Sequence, residues 1–196
     1  PGVAGYDAQS TDFANMSQAD REAEAKKLLA EAGYGDGNPL KLEILYNTSE
    51  RHQKIAVAVA SMWKKVLGVE ATMTNQEWKV YLESRDQKNF QVARAAWIGD
   101  YMDASNFLDL FLSNAGERND AGYNNPKFDE LMAAAAVNPD AAARDDQLEE
   151  AEKVFLADLP IIPIYHYRDV KMVSTKVHGY VDNVMGFHLT RYLSKE

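Results

Sequence analysis

The feature that most constrains the fold is a strand–helix–strand succession in the first half of the chain. Residues 40–46, Leu40-Lys41-Leu42-Glu43-Ile44-Leu45-Tyr46, alternate well enough to form a strand with one buried face. Ser49 stands where it can cap a helix. Ile55, Val59, Met62, Trp63 and Val66 then recur at the spacing of a single apolar stripe. Gly68 closes that helix, and residues 69–74 alternate again as a second strand. Residues 78–86 predict a short helix and 90–97 a third strand. Strands separated by helices define an α/β domain with a layered, mostly parallel or mixed sheet flanked by helices.

The flanking regions are read by the same signals. Residues 1–16 carry no hydrophobic period and form an irregular lead-in. Ser17-Gln18-Ala19-Asp20 combines an N-cap with an acid three residues on. The helix that follows turns Ala25, Leu28, Leu29 and Ala32 to one side, stops at Gly33, and gives way to the turn Gly35-Asp36-Gly37-Asn38-Pro39. A helix is expected over 104–113, followed by a polar loop. Asn125-Pro126 and Asn138-Pro139 each mark a helix start in which the missing proline N–H costs nothing. Phe128, Leu131 and Met132 face inward on the first of these helices; Leu148, Ala151, Phe155 and Leu159 do so on the second. Residues 160–167 are strand-like, with two prolines that suit an edge or a strand start. The tail beyond offers short extended pieces.

Composition removes several classes of function. The 196 residues are 46% hydrophobic and 26% charged, ordinary globular values. A net charge of -9, with lysines and arginines scattered, argues against a nucleic-acid partner. The absence of cysteine excludes disulfides, thiolate metal sites and thiol nucleophiles. No apolar run reaches the length of a membrane span, and the first residues carry no signal-peptide pattern. His52, His166, His178 and His188 are too scattered for a metal-ligand motif, so no metal or cofactor is expected. Gly33-Tyr34-Gly35-Asp36-Gly37 follows a helix, not a strand, and so is a C-cap and turn instead of a phosphate loop. Ser49, Ser61, Ser84 and Ser113 lack the setting of a catalytic nucleophile.

One stretch points to binding. Val92-Ala93-Arg94-Ala95-Ala96-Trp97-Ile98-Gly99-Asp100-Tyr101-Met102-Asp103 is an apolar, strand-like run that ends in Gly-Asp and then shifts to helical spacing. Such a strand end carries a carboxylate at the tip of a rigid element, where ligand-contacting side chains tend to sit. Asp100 is the candidate for holding a cationic group, with Asp103 as a helix cap. The alternative is an enzymatic acid–base pair of Asp100 and Asp103. Trp97, beside Asp100, offers a flat wall to a ligand. Trp63 belongs to a core stripe, and Trp78 at a helix start suits either role.

Several segments occur together in order: Asn47-Thr48-Ser49-Glu50-Arg51-His52, Leu67-Gly68-Val69, Asn75-Gln76-Glu77-Trp78-Lys79, Ala93-Arg94-Ala95-Ala96-Trp97-Ile98-Gly99-Asp100-Tyr101 and Ile162-Pro163-Ile164-Tyr165-His166-Tyr167. From about Ser17 to the C-terminus the chain resembles the C-terminal lobe of periplasmic oligopeptide-binding proteins, the solute receptors of peptide ABC importers. The resemblance implies a lobe of the periplasmic-binding-protein type over 17–167, with 168–196 returning toward the other lobe. It also implies a chain separated from its N-terminal lobe, which accords with a start at Pro1 instead of Met.

By the same resemblance, Asp100 pairs with the α-amino group of an extended peptide. Arg94 and His52 meet ligand carboxylates at positions set by peptide length. Trp78 lines a side-chain pocket, and Tyr167 faces the cleft. His166 replaces an aromatic position, and Ile98 stands where related proteins carry a disulfide-forming cysteine. The implied partners are an oligopeptide, the N-terminal lobe and a membrane ABC permease, in a periplasmic or lipid-anchored extracytoplasmic setting. Receptors for dipeptides, murein peptides, haem or nickel in the same superfamily are the nearest alternatives. A chaperone-like binder of unfolded chains is a more distant one.

Overall fold

The computed structural model describes residues 2–183 and 185–196. Ser17 Oγ accepts from the Asp20 N–H at 3.2 Å and starts α1 (Gln18–Glu31), as the capping pattern requires. The expected strand–helix succession follows: β1 (Lys41–Asn47), α2 (Glu50–Leu67), β2 (Glu70–Gln76), α3 (Trp78–Asp86) and β3 (Val92–Ala93). The strands form one parallel sheet in the order β2-β1-β3. Register runs from Lys41↔Glu70 to Asn47↔Gln76 on one side and pairs Ile44 with Val92 on the other. The α/β assignment made from periodicity therefore holds.

The sheet is covered by α2. Ile44 and Tyr46 of β1 and Ala56 of α2 are buried together, with Leu42, Ala71 and Val92 from the strands and Val59, Ala60 and Trp63 from the helix packed around them. Trp63 thus packs, partly buried, against the core on the face its place on the stripe predicts. Met62, from the same stripe, remains exposed. Gly68 takes a left-handed φ of 71°, which turns the chain from α2 straight into β2.

A second core lies in the helical half. It comprises α4 (Ser105–Leu108), a 3-10 turn over Asp109–Phe111, α5 (Pro126–Val137) and α6 (Ala141–Asp158). Phe128 is fully buried, and Met132, Leu148, Ala151 and Phe155 join it from α5 and α6. Tyr123 meets Phe128 and Phe155 edge-on at 5.4 and 5.5 Å between ring centroids, a favoured aromatic geometry. Asn125 caps α5 by accepting from the Lys127 N–H at 2.9 Å, with Pro126 in the first turn.

Five sequence expectations are corrected. The third strand is laddered only at Val92–Ala93, where it pairs with β1 at two positions; the chain then runs on to Trp97 without strand pairing among the described residues. The helix expected over 104–113 is a four-residue α4 continued by the 3-10 turn. Helix α6 begins two residues after Pro139, with Asp140 accepting from Ala143 N–H at 2.9 Å; Asn138 instead ends α5. Residues 160–167 form no strand, and Leu159 is exposed at φ 49°, ending α6 instead of packing inward.

The lead-in is pinned despite its lack of hydrophobic period. Tyr6 donates its hydroxyl to Glu152 at 2.6 Å, and the Asp7 and Gln9 amides donate to Glu149 and Glu152. A short 3-10 turn occupies Asp12–Asn15. Near the C-terminus, β4 (Val177–His178) and β5 (Ser194–Lys195) pair antiparallel.

Phe128 is the tightest point of the helical core, so Phe128→Ala is expected to destabilise the chain by about 3–5 kcal/mol. Urea unfolding followed by far-UV circular dichroism measures this. A loss below about 1 kcal/mol would mean that the α5–α6 core is not the cooperative unit its packing implies.

Candidate functional site

Parallel strands deliver all their C-terminal ends to one edge of the sheet, and the candidate residues stand along that edge. Asn47 ends β1, Gln76 ends β2, and His52 lies in the first turn of α2, directly after β1. Trp78 opens α3, directly after β2. Arg94 follows β3, its N–H donating to the Leu45 carbonyl at 2.8 Å as the last main-chain bond of that ladder. Trp97 and Asp100 lie farther along the same segment. Crevices at the carboxyl ends of strands are where open α/β sheets place ligands.

Arg94 and Tyr167 are brought together. The guanidinium Nη2 donates to the Tyr167 hydroxyl, joining the start of the candidate segment to the stretch after α6. The Tyr165 ring lies 5.3 Å from that of Tyr167. Among the described residues no carboxylate pairs with Arg94, although the chain carries 30 acids against 21 Lys and Arg. Burial and the neighbouring Arg94 charge push the His52 pKa below its ordinary value, with the Asn47 main chain working weakly the other way. Enclosed side-chain atoms gather here: Asn47 Oδ1, His52 Nδ1 and Gln76 Oε1 make no hydrogen bond of normal geometry within the described residues. Polar atoms in that state are open to a ligand or to water.

Asp100 is exposed, and no described residue engages its carboxylate. Its backbone, by contrast, is held. The Asp100 N–H donates to Asn106 Oδ1 at 3.3 Å, and the Trp97 indole N–H donates to the same oxygen at 2.8 Å. Asn106 is 6% exposed at the start of the helical layer. Gly99 passes so close to Phe107 that an added Cβ would sit 3.1 Å from its Cζ, tighter than a side chain tolerates without displacement. Trp97, Tyr101 and Phe107 keep exposed apolar surface around the turn, and Ile98 is 78% exposed. Trp78 is also exposed and stacks on buried Tyr81 at 5.8 Å.

Asp103 is committed elsewhere. Its oxygens accept from Arg144 Nη1 and Nη2 at 2.8 Å each, and Oδ1 also accepts from the Ser105 N–H at 2.9 Å. These bonds hold the Asp103 carboxyl at a pKa of about 2, and Arg144 is correspondingly raised by Asp103. Asp103 is therefore a cap and a brace between the turn and α6, and it is withdrawn from any acid–base pair with Asp100. Sequence reasoning did not find Asn106, Arg144, Asn47 or Gln76, since a buried amide or a partner 41 residues away leaves no local signature.

The site is an open crest instead of a cavity. A depression of about 480 Å³ lies at the opposite ends of β1 and β2, beside Lys41 and Glu70. No described cluster of His, Asp or Glu could hold a metal ion, and no described helix is long and apolar enough to cross a membrane.

A parallel sheet covered by helices, with candidate binding residues along one edge, is the α/β class of a periplasmic-binding-protein lobe. Residues 1–119 match the family described as bacterial extracellular solute-binding proteins, family 5 Middle, and the chain belongs to that family, whose members are binding proteins and not enzymes. It is similar to the periplasmic murein peptide-binding protein MppA of Escherichia coli, at 47% identity over 92% of this chain and 34% of that protein. It is also similar to the periplasmic oligopeptide-binding protein OppA of Escherichia coli, at 42% identity over 90% and 34%. Among solved structures, Escherichia coli murein tripeptide binding protein MppA superposes with a TM-score of 0.89 at 44% identity, covering 100% of this chain and 38% of that one. Haemophilus influenzae OppA in complex with RPPGFSPFR gives 0.85 at 40% identity, covering 96% and 37%. The chain thus spans about a third of the length of the curated relatives it matches.

The Asp103 carboxyl, depressed from an ordinary 3.8 to about 2, stabilises the fold above pH 5. That contribution, roughly 1–2 kcal/mol after partial solvent screening, is lost as pH falls through 4 toward 2. Urea unfolding at pH 6, 4 and 2.5 should show a shallower acid dependence in Asp103→Asn than in the native chain. Parallel curves for the two would mean that Arg144 does not hold the turn.

Proposed function

We propose that the chain is the C-terminal lobe of an oligopeptide receptor serving an ABC importer, with 17–167 forming the lobe and 168–196 returning toward an N-terminal lobe. The observation that carries this reading is the exposed, unengaged Asp100 carboxylate on a braced turn, with Arg94, His52 and Tyr167 along the same sheet edge. An extended peptide pairs its main chain as an added strand would, which ignores side-chain identity. Register must then come from its charged ends. Asp100 holds the α-ammonium by a charge-assisted hydrogen bond. Arg94 and His52 receive carboxylates at distances fixed by peptide length, and Trp97 and Trp78 give apolar walls to side chains. Closure of the second lobe buries the peptide and presents the closed receptor to the permease. The relatives named as periplasmic support an extracytoplasmic location.

A murein peptide is the second reading, favoured by the similarity to MppA at 47% identity. Its additional carboxylates suit the unpaired Arg94. Mass spectrometry of what co-purifies with the full-length receptor separates the two readings.

The anchor is tested by titration calorimetry on the full-length receptor with trialanine and N-acetyl-trialanine. Asp100→Asn is expected to weaken the free peptide by about 100-fold, within the 2–5 kcal/mol typical of truncating one member of a buried charged pair. Equal affinities for the two native-receptor ligands would overturn the anchor.

The second test uses pH. A peptide carboxylate reaching His52 raises a pKa that burial and Arg94 hold down in the free chain. Binding then takes up a proton in the window between the free and bound pKa values, and affinity strengthens as pH falls through the bound value. Calorimetry of a peptide whose carboxylate reaches His52, in buffers of different ionisation enthalpy, should show this uptake in the native receptor and not in His52→Phe. Buffer-independent enthalpies would remove His52 from the carboxylate site.

A further inference from the structure

We infer that Asn106 is the positioning residue of the ammonium anchor: its single side-chain oxygen sets the place of the Asp100 backbone and of the Trp97 indole together. The inference rests on the reading of Asp100 given above. It concerns a residue to which neither the sequence motifs nor the family match assigns a role.

The need for such a residue follows from how little else holds the segment. Sheet pairing ends at Ala93, and the last ladder bond leaves Arg94 N–H for Leu45. The next firm attachment is Asp103, fixed by Arg144 and Ser105. Between these points the described side-chain bonds to the segment's own Trp97 and Asp100 both end on Asn106 Oδ1. Two N–H donors converging on one atom require it to be the carbonyl oxygen, which fixes the amide orientation. Asn106 is 6% exposed, so the bonds form away from competing water.

The consequence is geometric. A carboxylate contributes strongly to binding only when it meets the ammonium at hydrogen-bond distance and angle, and a shift of about 1 Å forfeits most of that. Asp100 itself is exposed and free to move, so its aim depends on its main chain. Asn106 ties that main chain to buried α4. The same atom sets the angle of Trp97, so wall and anchor keep a constant spacing. Substituting Asn106 leaves both N–H groups without this acceptor and lets the turn settle elsewhere.

The test uses the full-length receptor and the ratio of affinities for trialanine and N-acetyl-trialanine, which a purely structural role would leave unchanged. Asn106→Leu, similar in size but without an acceptor, should cut the free-amine preference by about tenfold, the scale of a lost buried hydrogen bond. It should also move the Trp97 indole N–H resonance. Asn106→Asp keeps the oxygen and should keep the preference. If Asn106→Leu does not fold, Asn106→Ala, which removes the acceptor without adding apolar bulk, should lower the preference in the same direction. A loss of thermal stability with an unchanged ratio in the folded acceptor-free variant would overturn the inference, as would an equal loss in Asn106→Asp. If Asp100→Asn abolishes the preference while the acceptor-free variants keep it, the anchor stands and the role of Asn106 falls. If the native receptor has no preference, both fall.

Discussion

Parallel pairing of β1 with both β2 and β3 is the constraint on which the candidate site depends. A parallel ladder requires each strand to be followed by a return through a helix, so every strand ends on the same side. Asn47, Gln76 and Arg94, distant in sequence, are placed along one edge by that rule alone. The helix starts that follow put His52 and Trp78 on the same edge. An antiparallel arrangement of the same strands would scatter these groups to opposite ends. The central position of β1 also explains why its residues Ile44, Leu45 and Tyr46 are the buried ones, while β2 at the side keeps Met73 exposed.

The second requirement is a brace between two separate cores. The sheet core and the helical core are built from different residues, and the segment carrying Arg94, Trp97 and Asp100 runs from one to the other. Arg144 of α6 grips Asp103 bidentately, and Arg85 of α3 pairs with Asp120 of the loop before α5. Both pairs are mostly shielded from solvent, so each exceeds what a surface ion pair contributes. With the turn tied at Asp103 and at Asn106, the exposed groups between them are held by buried ones. This division gives a rigid frame beneath an accessible, unengaged carboxylate.

The elements that sequence made legible are those whose signal is local. Capping by Ser17, Ser49 and Asn125, the stop at Gly68, and the stripe containing Val59 and Trp63 all follow from side chains within one or two turns. Long-range pairing is not written locally. Residues 90–97 have the composition of a full strand, yet only Val92 and Ala93 find a neighbour, because β1 offers pairing at only two positions there. Residues 160–167 are apolar enough for a strand and pair with none among the described residues; Tyr167 meets Arg94 by side chain instead. Pro139 misplaced the start of α6 by two residues, since Asp140 is the better cap. Asp100 and Arg94 were reached through the segment's own pattern and through resemblance. Asn106 and Arg144 were not, because what they do appears only once the chain is folded around them.

Charge supplies the last step. In a chain of net charge -9, with 30 acids against 21 Lys and Arg, most of the arginines still have no carboxylate partner among the described residues. Arg85 and Arg144 found theirs, and both brace the fold. Arg94 has instead the neutral hydroxyl of Tyr167, a partner that orients the guanidinium without neutralising it. His52 beside it is pushed toward the neutral form, so the edge is not overloaded with positive charge before a ligand arrives. Asp100 shows the mirror condition, a carboxylate with no described cation. Arg94 without a carboxylate and Asp100 without a cation, among the described residues, are the two groups that the proposed zwitterionic ligand would engage.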